Sequence, residues 1–299
     1  MKQTKKECIA VKQVAWIGTG VMGAQQAGHL VKNGYSVRAY NRTYEKMESQ
    51  AQELGFTPCA SIADAVREAD VIFVMVGYPT DVEEVFCGPG GIFECAKKGA
   101  LAVDMTTSSP ALAQMLYEMG RKKGIRVMDA PVSGGDSGAR NATLSIMVGG
   151  DQADFDEALP LFSCMGKNIR LMGGPGMGQH TKAANQIAVA GATAAYTEAI
   201  AYARRVGLDP AAMFDAIGAG AAGSWQIANM APRALKGDFA PGFFVKHFIK
   251  DMKIVRDEGA ERGLDLKMLD AVLALYEQMA DMGLENDGTQ ALIKVYEKK

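Results

Sequence analysis

In the first half of the chain, short apolar runs alternate with stretches of helical pattern. Runs of strand character occupy residues 13–18 (QVAWIG), 35–40 (YSVRAY), 71–76 (VIFVMV), 100–105 (ALAVDM) and 125–132 (IRVMDAPV). The segments between them carry helix signals. Ser61 stands three residues before Asp64, a capping-box-like start. Pro110 lies just inside a helix start, and Gly124 lies just past its end. Strand–helix alternation at this spacing predicts βαβ units and a parallel sheet. Residues 143–150 (TLSIMVGG) add a further strand, and residues 169–174 (IRLMGG) are a candidate for another.

The pattern then changes. Residues 183–197 contain no charge and are rich in alanine. A helix without a polar face is expected to be buried. If it runs from Gly178 to Arg205 it is ~40 Å long at the α-helical rise per residue, long enough to link two domains. Shorter helical stretches follow Gly207: DPAAMFDAIG, SWQIANMAPRALKG, HFIKDMKIVRDEGAERG and KMLDAVLALYEQMADMG. The predicted organisation is an α/β domain over 1–174 and an all-α domain over 175–299, joined by the long helix. Neither low-complexity segments nor repeats of 20–50 residues occur.

Composition excludes several classes. At 299 residues the chain is too long for one ordinary core. The formal net charge is -2, with no basic block to suit nucleic acid. The basic start, MKQTKKECIA, lacks the apolar core of a signal peptide, and the densest apolar run is too short to span a bilayer. Five cysteines (Cys8, Cys59, Cys87, Cys95 and Cys164) without C-x-x-C spacing suit reduced thiols and a cytoplasmic location. Three scattered histidines (His29, His180 and His247) give no metal constellation, and no metal is expected.

The glycines after the first strand carry chemistry. Gly18, Thr19, Gly20, Val21, Met22 and Gly23 contain the pattern G-x-G-x-x-G, between a strand and a helical segment that ends at Gly34. In that context Gly18 permits the tight turn, Gly20 admits a pyrophosphate to the backbone, and Gly23 lets helix and strand pack closely. The helix N-terminus supplies N–H groups and positive potential to phosphates. The reading is a dinucleotide-binding Rossmann domain; an ordinary βα turn is the bland alternative. At the end of the second strand, where an acidic residue would meet a free ribose 2′-hydroxyl, the chain has Asn41, Arg42 and Thr43. A guanidinium pairs with a 2′-phosphate and the neighbours donate hydrogen bonds, which predicts NADP(H) in preference to NAD(H).

Two further stretches are candidates for substrate chemistry. In DAPVSGGDSGARNATLSIMVGG, Ser133, Gly134 and Gly135 can direct backbone N–H groups and a hydroxyl at an anion; a flexible hairpin loop is the equal alternative. In GPGMGQHTKAANQ, Lys182 lies near the start of the uncharged helix, where burial and the helix N-terminus both lower its pKa toward that of a general acid/base. Asn185 and Gln186 share its face. A lysine snorkelling to solvent is the commoner alternative.

Taken in order, IGTGVMG, NRT, DMTTSSP, DAPVSGG, GPGMGQHTKAANQ and FIKDM resemble the β-hydroxyacid dehydrogenases, across nearly the whole chain. That family includes 3-hydroxyisobutyrate dehydrogenase and tartronate semialdehyde (2-hydroxy-3-oxopropionate) reductase, and is more distantly related to 6-phosphogluconate dehydrogenase. The resemblance implies a Rossmann domain, an all-helical domain and a site in the cleft between them. It implies that Lys182 is the catalytic lysine, with Asn185 an amide of its motif. Ser133, Gly134 and Gly135 match the substrate-carboxylate loop, and Lys250 matches a lysine that closes the site. Val76 and Gly77 match cofactor-lining positions, and Thr107 matches a hydroxyl near the nicotinamide. Periodicity alone places Lys250 beside Lys246, Lys253 and Asp257, on a solvated face.

The resemblance implies hydride transfer between a small β-hydroxyacid and its semialdehyde or keto acid, and the uncharged helix suggests a homo-oligomer, dimer or tetramer. Gln186 after Asn185 departs from the usual Asn and is nearer the tartronate semialdehyde reductases. Gly77-Tyr78-Pro79 and Asn141-Ala142 also depart from the pattern. The competing readings are a 6-phosphogluconate dehydrogenase, disfavoured by a chain ending at 299; an imine reductase, disfavoured by Lys182; and a non-catalytic NADP(H)-binding sensor or scaffold.

Overall fold

The computed structural model describes residues 13–297. Basic residues and Cys8 at the start of the chain lie outside that range. The described chain divides into two compact units, the first ending at Thr181 and the second beginning at Lys182.

The first unit is built on one sheet. Its strands are β1 (Gln13–Ile17), β2 (Ser36–Tyr40), β3 (Thr57–Pro58), β4 (Val71–Val74), β5 (Leu101–Asp104), β6 (Arg126–Asp129), β7 (Val132–Ser133), β8 (Leu144–Gly149) and β9 (Gly166–Gly173). The order is β3-β2-β1-β4-β5-β6-β8-β7, with β9 also on β8. From β3 to β6 every pairing is parallel. The apolar runs are continuous because both faces are covered. Val14 and Trp16 of β1, with Val71 and Phe73 of β4, enter one core. Ala15, Ile17, Ile72 and Val74 enter the core on the opposite face. Trp16 stacks on Phe73 at 5.3 Å between ring centroids. The sheet is an N-terminal Rossmann domain, as expected, and an all-α unit follows.

The run 125–132 is not one strand. It breaks at Ala130-Pro131, and its halves, β6 and β7, both pair antiparallel with β8. Proline has no N–H to give a ladder, and its carbonyl alone takes part, accepting Met147 N–H at 3.0 Å. The two-residue β3 escaped the pattern because it is too short to show a period.

The helix signals mark real boundaries. Ser61 Oγ accepts Asp64 N–H at 3.1 Å and donates to Asp64 Oδ2 at 2.7 Å. Gly124 ends the helix Pro110–Lys123 with φ of 76°. The long helix spans Met177–Val206. It is not buried all round: Ala190, Thr193, Tyr196, Thr197 and Ile200 are buried, whereas Ala184, Ala188 and Ala195 are exposed. A methyl group has little apolar area to hide, so absence of charge did not require burial on every side.

In the second unit the helices Val245–Glu261 and Lys267–Asp281 pack around Phe248, Met252, Leu273 and Tyr276. Further helices cover Pro210–Ile217, Trp225–Asn229 and Ala231–Leu235. Cys59, Cys87, Cys95 and Cys164 are free thiols. Among the described residues no helix is long and apolar enough to cross a membrane, and no group of three or more His, Cys, Asp or Glu is arranged to hold a metal.

Candidate active site

The strand order reverses beside β1, which pairs with β2 on one side and β4 on the other, the place where such sheets bind ligands beyond their carboxyl ends. Gly18 follows β1 with φ of 98°. A Cβ there would lie 2.2 Å from the carbonyl oxygen of Met75, so only glycine lets the turn pass the end of β4. A Cβ on Gly23 would lie 2.0 Å from the carbonyl oxygen of Gly18, which also accepts the Trp16 indole N–H at 3.0 Å.

Gly20 differs. It is exposed, and a Cβ there would meet nothing within 4 Å. It precedes the helix Val21–Lys32, whose start has no side-chain cap. The first N–H groups of that helix therefore have no intrahelical acceptor. Beside them Thr19 is fully buried, and its Oγ1 has no hydrogen-bond partner. Unpaired donors and an open approach fit a pyrophosphate. Val21 is half exposed at the helix start, and Met22 packs toward the core.

The other cofactor candidates gather along the same edge. Asn41 Oδ1 accepts Thr19 N–H at 3.2 Å, tying the end of β2 to the glycine turn. Its amide donates to Thr43 O at 3.3 Å. Arg42 is exposed, and its Nη1 lies 3.0 Å from Asp81 Oδ1. Thr43 is also exposed and stands at the N-cap of the helix Tyr44–Leu54. Beyond β4, Val76 donates its N–H to Thr106 Oγ1 at 3.0 Å, joining the loop of Val76 and Gly77 to the segment that holds Thr107.

Two residues that the sequence did not single out organise this edge. Asp129, at the end of β6, is buried and accepts Gly176 N–H at 2.7 Å and Gln179 N–H at 2.8 Å. It receives the start of the long helix. Burial pushes its carboxyl up to about 6 against the pull of those N–H donors. Gln179, also buried, accepts Ser108 N–H at 2.9 Å and donates to Thr106 O at 2.8 Å, holding both flanks of Thr107. Asp129 lay in plain view in DAPVSGG, but an acid inside an apolar run gives no sign of the N–H groups it will meet.

Ser133 ends β7, paired with Ser145 of β8. Gly134 and Gly135 follow with φ of 133° and 62°, values that favour glycine. The chain then turns into the short helix Gly135–Arg140 rather than a hairpin loop. His29 Nε2 lies 2.9 Å from Ala139 O and 3.0 Å from Arg140 O, fixing the far end of that helix.

In the second unit, Lys182 is buried, at 7% exposure, and does not snorkel to solvent. Burial lowers its pKa to about 8; Asp251 pulls it up and Lys250 pushes it down. Asn185 does share that stretch of helix, but its amide donates to Gln186 Oε1 at 2.7 Å. Gln186 in turn donates to Asp251 Oδ2 at 2.7 Å. Lys250 lies 2.8 Å from Asp251 Oδ1, with its side chain 11% exposed. The solvated face that periodicity gave Lys250 is therefore wrong, because a buried carboxylate one residue on takes its charge inward. Asp251 was missed although FIKDM contains it; one of its partners, Gln186, lies 65 residues away on another helix.

The comparisons with known proteins bear on the same two stretches of chain. Residues 13–174 match the family described as the NAD-binding domain of 6-phosphogluconate dehydrogenase. Residues 176–296 match the family described as NAD-binding of NADP-dependent 3-hydroxyisobutyrate dehydrogenase. An uncharacterized oxidoreductase of Bacillus subtilis is 49% identical over 96% of this chain and 99% of its own. The chain belongs to the NAD(P)-dependent β-hydroxyacid dehydrogenases. The 2-hydroxy-3-oxopropionate reductase of Escherichia coli is 34% identical over 95% of this chain and 97% of its own. The 3-hydroxyisobutyrate dehydrogenase of Mycobacterium tuberculosis, solved with L-serine, superposes with a TM-score of 0.88 at 28% identity, covering 96% of this chain and all of that one. This member of the family is thus an oxidoreductase acting on the CH–OH group of hydroxyacids with a nicotinamide cofactor.

Proposed function

We propose that the enzyme interconverts a small β-hydroxyacid and its semialdehyde or keto acid, using NADP(H) in preference to NAD(H), with Lys182 as general acid and base. The observation that carries this is the burial of Lys182 in the field of the Asp251 carboxylate and the Lys250 ammonium, an environment that lowers its pKa to about 8. A proton donor that retrieves its proton near neutral pH needs such a value. Ser133 Oγ and the N–H groups of Gly134 and Gly135 hold the substrate carboxylate, and Lys250 adds a positive charge to that hold. Bound nicotinamide supplies or accepts the hydride. Lys182 gives its proton to the carbonyl oxygen as the new C–H bond forms, and takes one from the hydroxyl in reverse. Asn185, through Gln186 and Asp251, orients the amine.

The glycine turn, Thr19, Val76, Gly77 and Thr107 hold the cofactor. The absence of a carboxylate at position 41, with Arg42 next to it, supports the preference for a 2′-phosphate. The Escherichia coli relative and Gln186 favour 2-hydroxy-3-oxopropionate as substrate; 3-hydroxyisobutyrate, named in the solved relative, is the second candidate. The test is the loss of NADPH absorbance with tartronate semialdehyde, methylmalonate semialdehyde, succinic semialdehyde and glyoxylate. Preference for tartronate semialdehyde is expected, and no turnover of any would overturn the proposal.

A further inference from the structure

Arg42 does not present an isolated charge. Its Nη1 lies 3.0 Å from Asp81 Oδ1, and its side chain is 73% exposed against 15% for Asp81. The other carboxylate oxygen, Oδ2, accepts the N–H of Tyr78 at 3.1 Å. Asp81 is therefore fixed in the first turn of the helix Pro79–Cys87, while the Arg42 side chain remains largely exposed. The pair joins the loop after β2 to the loop after β4, the one whose Gly77-Tyr78-Pro79 departs from the family pattern.

We propose that Asp81 is a specificity-determining residue: its carboxylate offsets the charge that Arg42 offers to a 2′-phosphate and so moderates the preference for NADPH over NADH. The inference rests on the reading of Arg42 as the 2′-phosphate partner. Arginine binds phosphate best through a free fork of donors. Here one Nη is committed to an acid, leaving the other edge. A phosphate on that edge would carry about two negative charges roughly 7 Å from the carboxylate. In water that repulsion weakens binding by about three- to tenfold, and salt screens it further. NADH, with a neutral 2′-hydroxyl, is spared.

The experiment is titration calorimetry of NADPH and NADH at low ionic strength on the full chain and on Asp81→Asn, Asp81→Ser and Arg42→Ala. Asn keeps the shape and an acceptor but removes the charge; Ser does so with a smaller side chain and serves if Asn disturbs the fold. Both are expected to tighten NADPH about three- to tenfold, leaving NADH within about twofold. Arg42→Ala is expected to weaken NADPH selectively. If Arg42→Ala does so but neither Asp81 variant raises NADPH affinity over NADH, Asp81 has no such role and the Arg42 reading stands. If Arg42→Ala weakens both cofactors equally, the 2′-phosphate reading fails and this inference falls with it.

Discussion

Gln186 donates its amide to Asp251 at 2.7 Å, and the other oxygen of that buried carboxylate takes Lys250 at 2.8 Å. One acid thus collects an amide and a cation, and its field reaches Lys182. With the Lys182 pKa at about 8, the direction of the pH dependence follows. With Lys182 in its proposed role, reduction needs the ammonium, so its rate falls as pH rises through about 8, and oxidation needs the free amine and rises through the same range. Asp251→Asn removes the charge that favours the ammonium and moves both limbs toward lower pH, by roughly one unit. Profiles of kcat in both directions check this. An unmoved limb in the variant would mean that Asp251 does not set the amine.

Lys182→Ala removes the proposed proton donor and leaves the glycine turn untouched. Turnover is expected to fall by about 10²- to 10⁴-fold, the usual worth of a general acid. The Kd for NADPH, measured by calorimetry, is expected to stay within about twofold of the parent's, since no cofactor contact is removed. Retained turnover would remove Lys182 from the chemistry.

Asp129 links stability to pH. Its carboxyl is raised from 3.8 in the unfolded chain to about 6 in the fold, chiefly by burial. Such a group contributes stability that is fully present below pH 3.8 and lost as pH rises through about 6. The difference is about 3 kcal/mol. Asp129→Asn has no charge to bury, so its stability loses this slope. It also cannot accept both Gly176 and Gln179 N–H groups, which costs about 1–3 kcal/mol at every pH. Thermal melts of both proteins between pH 4 and 7 measure the slopes; parallel curves would refute the assignment.

The centre of the sheet was legible because β1, β4 and β5 are buried on both faces and so read as apolar runs, and the glycine turn because Gly18 and Gly23 meet backbone atoms that no larger residue tolerates. What escaped was set by long-range contacts. Asp81, Asp129, Gln179 and Asp251 find their main partners across 39 to 73 residues or on another element. A lone acid or amide in a helix or at a strand end has the same local pattern whether it faces water or a buried cation. Lys250 shows the same limit: the wheel places it correctly on its helix, and Asp251 then reverses the environment that the wheel implies.

Gly20 and Gly23 belong to one motif and separate folding from binding. A Cβ at Gly23 would overlap the carbonyl oxygen of Gly18 and approach Trp16 Nε1 to 2.9 Å. The first of these is backbone and cannot swing away. The gain in helix propensity, about 1 kcal/mol for glycine to alanine, is outweighed by overpacking of about 1–3 kcal/mol or more. Gly23→Ala is therefore expected to lower the melting temperature as well as weaken NADPH. At Gly20 a Cβ meets nothing within 4 Å of the protein. Gly20→Ala is expected to melt with the parent yet bind NADPH at least tenfold more weakly, because in the proposed site the methyl stands where the pyrophosphate approaches the helix start. Thermal melts and cofactor titrations of the two variants separate the cases. Undiminished affinity in Gly20→Ala would show that the phosphates lie elsewhere.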